Sequence, residues 1–254
     1  MELNKRLYDL FLPQARNVSV EILSIGLGYT AVTTSDGGIG LSYTYFSDKK
    51  SCMVLNRYVD HEGKPAEGLL EAIMSDTPIE RSMALALINA LNHRVALELP
   101  EDADNSIMFE KLKIGKGRRV AMVGFFGPLV RNFDQKGVLL EILDISRGLG
   151  DKEAFYKKLR DWAQVLLLTS TSILNNSVEE ILANAGQNLK TAMLGPSTPM
   201  AADAFSHLPV AMLAGTAPID QENTLKAVRH GMGTPVLHRY SRKVFLTLPK
   251  RRPD

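Results

Sequence analysis

Four apolar runs in the second half of the chain each break into a short stretch of Gly, Pro, Ser, Thr or Asn. They are VAMVGFFGPL (120–129), VLLLTSTSILNNS (165–177), TAMLGPSTPM (191–200) and VAMLAGTAP (210–218). The first three breaks each lead into a helix start. Alternation of buried strands with helices is the pattern of a parallel sheet whose loops gather at one edge. In open α/β sheets that edge binds the ligand. The pattern says where a site lies before it says what happens there.

The segments ahead of these runs read differently. An amphipathic helix is expected over 3–16, with Leu3, Leu7, Leu10 and Phe11 on one face. Three β-rich runs follow at 18–26, 29–35 and 39–46, the last two joined as a hairpin by Asp36-Gly37-Gly38. Helices are expected at 66–74 and 79–93, the second opening at Thr77-Pro78 with Glu80 in its first turn. Residues 1–98 thus form a small α+β unit. The polar stretch 99–118, which contains Pro100, reads as a connection, and KIGKGRR (113–119) reads as a solvated turn rather than a phosphate clamp. Residues 119–254 form a Rossmann-like α/β domain. Its strands are expected at 120–124, 138–145, 164–169, 191–195 and 209–214. Its helices are expected near 128–136, 151–161, 178–186, 199–206 and 220–230. Gly137 and Gly231 close two of these helices. The segments VLHRY (236–240) and KVFLTL (243–248) read as further β structure.

Composition narrows the class. With 254 residues and 45% hydrophobic content, the chain can bury a large core without staples. A single cysteine, Cys52, excludes an intrachain disulfide and fits a reducing compartment; SCMVL around it reads as a buried structural thiol. No apolar run is long enough to span a membrane and the N-terminus lacks a signal-peptide core, so a cytoplasmic protein is expected. A net charge of +2 argues against wholesale nucleic-acid binding. The charge is uneven, −3 over residues 1–98 and +5 over 99–254, part of the excess lying in the tail Lys250, Arg251 and Arg252. The remainder favours an anionic ligand in the second half.

Two glycine patterns compete as phosphate loops. GLGYTA (26–31) lacks the helix that the dinucleotide fingerprint requires after it. GFFGPL (124–129) follows a strand and opens a helix, and Asp144 lies where an acid holds a ribose hydroxyl. Yet Phe125 and Phe126 are bulky where a pyrophosphate needs close backbone approach. In TSTSILNNS, Ser177 and Glu180 form a capping-box pattern, which leaves Thr169, Ser170, Thr171, Asn175 and Asn176 for a ligand or for local backbone groups. In GPSTP (195–199), Gly195 permits close approach, two prolines stiffen the loop, and Ser197 or Thr198 can cap the next helix. Five histidines without helical pairing and the absence of C-x-x-C argue against a structural zinc site. Convergence of Asp36, Asp144 or His207 in space is left open, and no nucleophile motif is present.

Together, GYTAV (28–32), DGGIGLSYT (36–44), VGFFGPLV (123–130), TSTSILNNSVEEIL (169–182) and LGPSTPM (194–200) resemble the two-domain family labelled "putative heavy-metal chelation". The resemblance implies an enolase N-terminal-like domain, a Rossmann-like domain and a cleft between them. It implies as ligand-facing residues Tyr29, Thr30, Asp36, Ser42, Tyr43, Phe126, Gly127, Pro128, Asn175, Asn176, Gly195, Pro196, Ser197 and Thr198. Strand-end position adds Gly124, Asp144, Thr169 and Ser170. The family label implies handling of a divalent or heavy metal through a chelator or cofactor. The expected partner is a small anionic or metal-chelating molecule, with neither nucleic acid nor membrane. Two alternatives stand beside it: an enzyme using a nucleotide or S-adenosylmethionine-like cofactor at Gly124, Gly127 and Asp144, and a non-catalytic metal-delivery or scaffold protein.

Overall fold

The computed structural model describes residues 1–46, 55 and 58–249. Cys52 and the basic tail therefore lie outside the described residues.

Helix α1 (Glu2–Ala15) leads into an antiparallel meander of β1 (Val20–Ile25), β2 (Tyr29–Thr34) and β3 (Ile39–Tyr43). The hairpin turns at Asp36-Gly37, where Gly37 has φ +83°. Helices α2 (Glu67–Leu70), α3 (Pro78–Leu91) and α4 (His93–Glu98) follow. The sequence of α3, PIERSMALALINAL, is apolar on nearly every face, as a helix enclosed on all sides must be. One side of it lies on β3. There a Cβ on Gly40 would stand 2.2 Å from Ala86 O and Ala90 N, so only glycine lets strand and helix meet.

The 99–118 stretch, expected as an irregular connection, carries a helix, α5 (Ser106–Leu112). Seven residues give too few turns for periodicity to show. Beyond it the chain alternates β4 (Arg119–Val123), α6 (Gly127–Lys136), β5 (Leu139–Leu143), α7 (Lys152–Asp161), β6 (Val165–Thr169), α8 (Thr171–Leu174), α9 (Val178–Ala183), β7 (Lys190–Leu194), β8 (Met212–Pro218), α10 (Gln221–Arg229), α11 (Thr234–Leu237) and β9 (Ser241–Thr247). The sheet order is β5-β4-β6-β7-β8-β9, with β9 alone antiparallel. Successive parallel strands depart in opposite directions from β4, so the topological switch lies between β4 and β6.

Alternate strand residues feed two cores. Ala121, Leu166, Leu168, Met193 and Leu213 join the helices of the N-terminal part in one continuous apolar cluster. Val120, Met122, Val165, Leu167, Ala192 and Met212 pack on the other face beneath α5 and α6. A third cluster sets Tyr29, Ala31, Ile39 and Leu41 of the small sheet against Leu225, Val228 and Leu237 of α10 and α11.

Four local expectations fail for identifiable reasons. AGTAP is strand rather than loop, because β9 pairs with β8 through Pro218. Residues 199–206 hold only a 3-10 turn at Ala202–Phe205, and VLHRY is the end of α11 followed by another 3-10 turn rather than β structure. Pro235 starts that helical turn. Finally, Ser177 makes no capping bond; its hydroxyl donates to Asn175 Oδ1 at 2.6 Å while Glu180 pairs with Lys152 at 2.6 Å.

Candidate functional site

The carboxyl ends of β4, β6 and β7 stand side by side at the switch. Gly124 follows β4 with φ +86°, and a Cβ there would lie 2.9 Å from Thr169 Cβ at the end of β6. Gly195 follows β7 with φ +124°, and a Cβ there would lie 2.8 Å from Ser170 Oγ. Both positions therefore require glycine twice over, for backbone conformation and for space. The two glycines bring Gly124, Thr169, Ser170 and Gly195 into one row. Ser170 N donates to Leu194 O at 2.8 Å and Gly195 N to Ala214 O at 3.1 Å, which fixes the row to the sheet.

Phe126, Gly127 and Pro128 form the start of α6, a ten-residue helix that no side chain caps. Its N-terminal end carries about half a positive elementary charge and unclaimed amide donors. Thr169 and Thr171 share a hydroxyl–hydroxyl bond at 3.0 Å. The loop Gly195–Thr198 closes on itself through Thr198 N to Gly195 O at 3.0 Å, with Pro196 between. Thr198 is buried and its hydroxyl has no partner among the described residues.

The small sheet reaches this row through Ser197. The amide of Tyr43 donates to Ser197 Oγ at 2.7 Å, and Asn89 Nδ2 donates both to Leu41 O (2.8 Å) and to Ser197 O (3.3 Å). The other predicted residues of that sheet divide by strand alternation. Tyr29 and Tyr43 are paired across the strands and meet edge to face at 6.1 Å; Tyr29 OH also shares a 2.6 Å bond with Thr234 Oγ1. Burial raises the Tyr29 pKa, so its phenol stays protonated. Thr30 and Ser42 point to the opposite face and are fully buried; Thr30 Oγ1 is bonded to Thr44 Oγ1 at 2.9 Å.

Four predicted residues have their side chains engaged in local bonds, although Asp144 stands next to the row, since Gly124 N donates to Leu143 O at 2.9 Å. Asp36 sits at the far end of the hairpin from Tyr43, about 17 Å away at the usual strand rise. Its carboxylate accepts from Thr34 Oγ1 at 2.7 Å, which is a turn residue's work. Asp144 accepts from Ser146 Oγ (2.6 Å) and Arg147 N (3.2 Å), closing the turn after β5. Asn176, at φ +58°, accepts from the buried Asn4 of α1 at 3.1 Å, and Asn175 serves Ser177. Asn176 thus ties the end of α8 to α1.

Two residues absent from the sequence expectations matter. Arg81, buried in α3, donates to Leu174 O at 2.6 Å and to Ser75 O, and so pins α8 behind Thr171. Burial lowers its pKa from the ordinary guanidinium value. Arg147 lies 5.1 Å from the Phe125 ring centroid, a cation–π contact beside the start of α6. A signal existed for Arg81: a charge inside an otherwise apolar helical stretch needs buried acceptors.

The donors beside the row are the hydroxyls of Thr169, Ser170 and Thr171 and the amides at the uncapped start of α6; the amides of Gly124, Ser170 and Gly195 are taken up by Leu143 O, Leu194 O and Ala214 O. Soft metals call for thiolate or imidazole ligands. No group of three His, Cys, Asp or Glu side chains able to hold a metal occurs among the described residues. Asp36, Asp144 and His207 thus form no such group. The described side chains do not fit a directly ligated heavy metal.

A family profile with the printed description "Putative heavy-metal chelation" matches residues 107–247, and a second with the same description, DUF4213, matches residues 8–92. The chain is similar to a protein of unknown function from the DUF364 family of Pyrococcus horikoshii, whose crystal structure aligns at TM-score 0.79 and 19% identity, covering 98% of this chain and 100% of that one. A DUF364-family protein of unknown function from Desulfitobacterium hafniense aligns at TM-score 0.75 and 21% identity, covering 95% and 98%. At these identities the likeness establishes the fold alone: a three-stranded antiparallel sheet with helices, joined to a six-stranded, mostly parallel sheet. No curated protein matches the chain. The first profile covers more than half of the sequence, and the chain belongs to the family it describes, DUF364.

Proposed function

We propose that the protein binds a small anionic molecule, one able to carry a metal as a chelate, at the row Gly124–Thr169–Ser170–Gly195 beside the start of α6. The observation that carries this reading is the pair of left-handed glycines whose missing Cβ atoms would strike Thr169 and Ser170. Glycine there lets the three strand ends pack against one another, which gathers their hydroxyls beside the start of α6. Backbone amides and hydroxyls at a helix start bind an anion without any cationic side chain. The metal, on this account, belongs to the guest and not to the protein, because the described side chains supply no soft-metal ligand set. Tyr43 and the Ser197 loop form the wall on the side of the small sheet. The single cysteine supports a reducing, cytoplasmic setting; no helix among the described residues is long and apolar enough to cross a membrane.

The test is thermal melting of the metal-free protein with citrate, zinc citrate and zinc ion alone. The expected result is a rise in Tm with citrate or its zinc complex and none with zinc alone. Stabilisation by zinc alone would overturn the reading. S-adenosylmethionine, NAD and ATP belong in the same series; saturable binding of one of these would replace an anion-binding protein with a cofactor-using enzyme.

A further inference from the structure

At the opposite, amino-terminal edge of the same parallel sheet lies a cavity of about 380 Å³, in the range of small-molecule sites. It is half open to solvent and is lined by the strand starts of β4, β6 and β7, the end of α7 and the loop between α9 and β7. Three arginines line it, Arg118, Arg119 and Arg160, together with the amide side chains of Gln164, Gln187 and Asn188. No carboxylate lines it. None of the three arginines forms an ion pair among the described residues. Among the described residues, the buried Arg118 Nε has no hydrogen-bond partner, and no acceptor is found for the Arg119 side chain. Arg160 reaches only a neutral group, Asn184 Oδ1 at 2.5 Å.

A half-buried guanidinium with no counter-charge is costly, because its lost hydration is not replaced. Arg118 and Arg119 are consecutive at the start of β4, and no carboxylate of the lining offsets their charge. The protein supplies little to offset this. The carbonyl end of α7 contributes about half a negative elementary charge, less than any one guanidinium carries. A dianionic ligand removes the imbalance.

The walls are built. Gln164 Oε1 accepts from Arg119 N at 3.2 Å, and Gln164 N donates to Arg119 O at 2.9 Å, which fixes β4 and β6 around the cavity and leaves Gln164 Nε2 free to donate. Gly186 allows its loop to run against α7: a Cβ there would stand 2.6 Å from Arg160 O. Arg forks match phosphate, as they do carboxylate, in bidentate geometry, and phosphate brings the second negative charge. The cavity has room for more than the phosphate, and its neutral amides suit the hydroxyls of an attached organic part. It contains no aromatic side chain on which nucleic-acid bases stack.

We propose that this cavity is a second site, separate from the carboxyl-edge row, which binds a small phosphorylated molecule through Arg118 and Arg119. The KIGKGRR run, read from sequence as a solvated turn, supplies both residues.

Titration calorimetry of the full chain with pyrophosphate and with glycerol 3-phosphate tests this. Saturable binding is expected, weakening as salt is raised. Arg118→Gln and Arg119→Gln should each weaken it at least tenfold, and Arg160→Gln by less. Lys158→Gln, which removes a surface partner of Glu141, should leave it unchanged. Melting curves verify that the arginine variants fold. Gln187→Ala, at an exposed loop position, gives an independent check and should weaken binding a few-fold. Three outcomes would overturn the proposal: no saturable binding at millimolar probe, binding that survives both arginine substitutions but not Gly124→Ala, or tighter binding of a short single-stranded oligonucleotide.

Discussion

The two edges of the parallel sheet meet solvent with opposite chemistry. The carboxyl edge offers glycines, hydroxyls and the start of α6, with Asp144 and Arg147 engaged with each other beside it. The cavity at the amino edge is lined by three arginines and no carboxylate. Strand direction accounts for the contrast. In a β-α unit the helix begins where the strand ends, so amide donors and positive helix ends gather at the carboxyl edge without any charged side chain. Helix ends and their carbonyls gather at the other edge. An anion can be held there only by side chains that outweigh those carbonyls. One sheet can thus carry two anion sites built on different physics, one short-ranged and the other charged and sensitive to salt.

The largest expected effect of substitution falls on the framework both edges share. Leu167 is fully buried in β6, and Leu167→Ala should cost about 2–5 kcal/mol by chemical denaturation. Well below its melting point, this variant should keep both affinities within about twofold. Loss at one edge alone would mean that edge depends on strand packing more than the comparison allows.

Gly124→Ala comes next. The left-handed conformation costs about 1–2 kcal/mol for an alanine, and contact with Thr169 adds to it. Gly148→Ala is the control, at φ +64° with open space around the added Cβ, and should show the conformational cost alone. Gly124→Ala should abolish citrate binding and spare pyrophosphate binding. Removal of both would break the separation of the edges.

Ser197→Ala takes the acceptor from Tyr43 N and should cost about 1 kcal/mol. It should weaken carboxyl-edge binding through the position of β3 and leave the amino edge untouched. Calorimetry of both probes measures this.

The effect of pH comes last, because it vanishes near neutrality. His238 is pushed down to about 4, first by burial and then by Lys243. Between pH 6.5 and 4 the unfolded chain binds the proton that the folded chain refuses, so stability is full above 6.5 and falls as pH drops. His238→Gln should flatten Tm against pH over this window. The two edges are therefore best compared above pH 7, where this change plays no part.

Much of the fold could be read from the sequence, and for a physical reason. Strands buried on both faces, such as VLLLT of β6, read as unbroken apolar runs. Gly137 and Gly231 adopt the left-handed conformations expected of helix ends, at φ +66° and +69°. What escaped depends on distant parts of the chain. The four residues of α8 and the seven of α5 are too short to show a period. The extension of β8 is set by β9, some thirty residues on, through pairs such as Gly215 with Val244. At the carboxyl edge, the strand-end residues Gly124, Thr169, Ser170 and Gly195 were legible because topology alone brings them together. The division of Thr30 and Ser42 from Tyr29 and Tyr43 follows from strand alternation, which was available in the sequence. The meeting of Arg118 and Arg119 with Arg160 was not, since no local pattern links the start of β4 to the end of α7.

The proposed anionic guest at the carboxyl edge depends on the amides at the start of α6 and the hydroxyls beside them. Amide-resolved NMR during titration with citrate and zinc citrate tests this most directly. The account predicts saturable shifts at the amides of Gly124, Gly127, Thr169, Ser170 and Gly195, absent with zinc alone. Shifts confined to Arg118, Arg119 and the 186–189 loop, with the carboxyl edge silent, would contradict it.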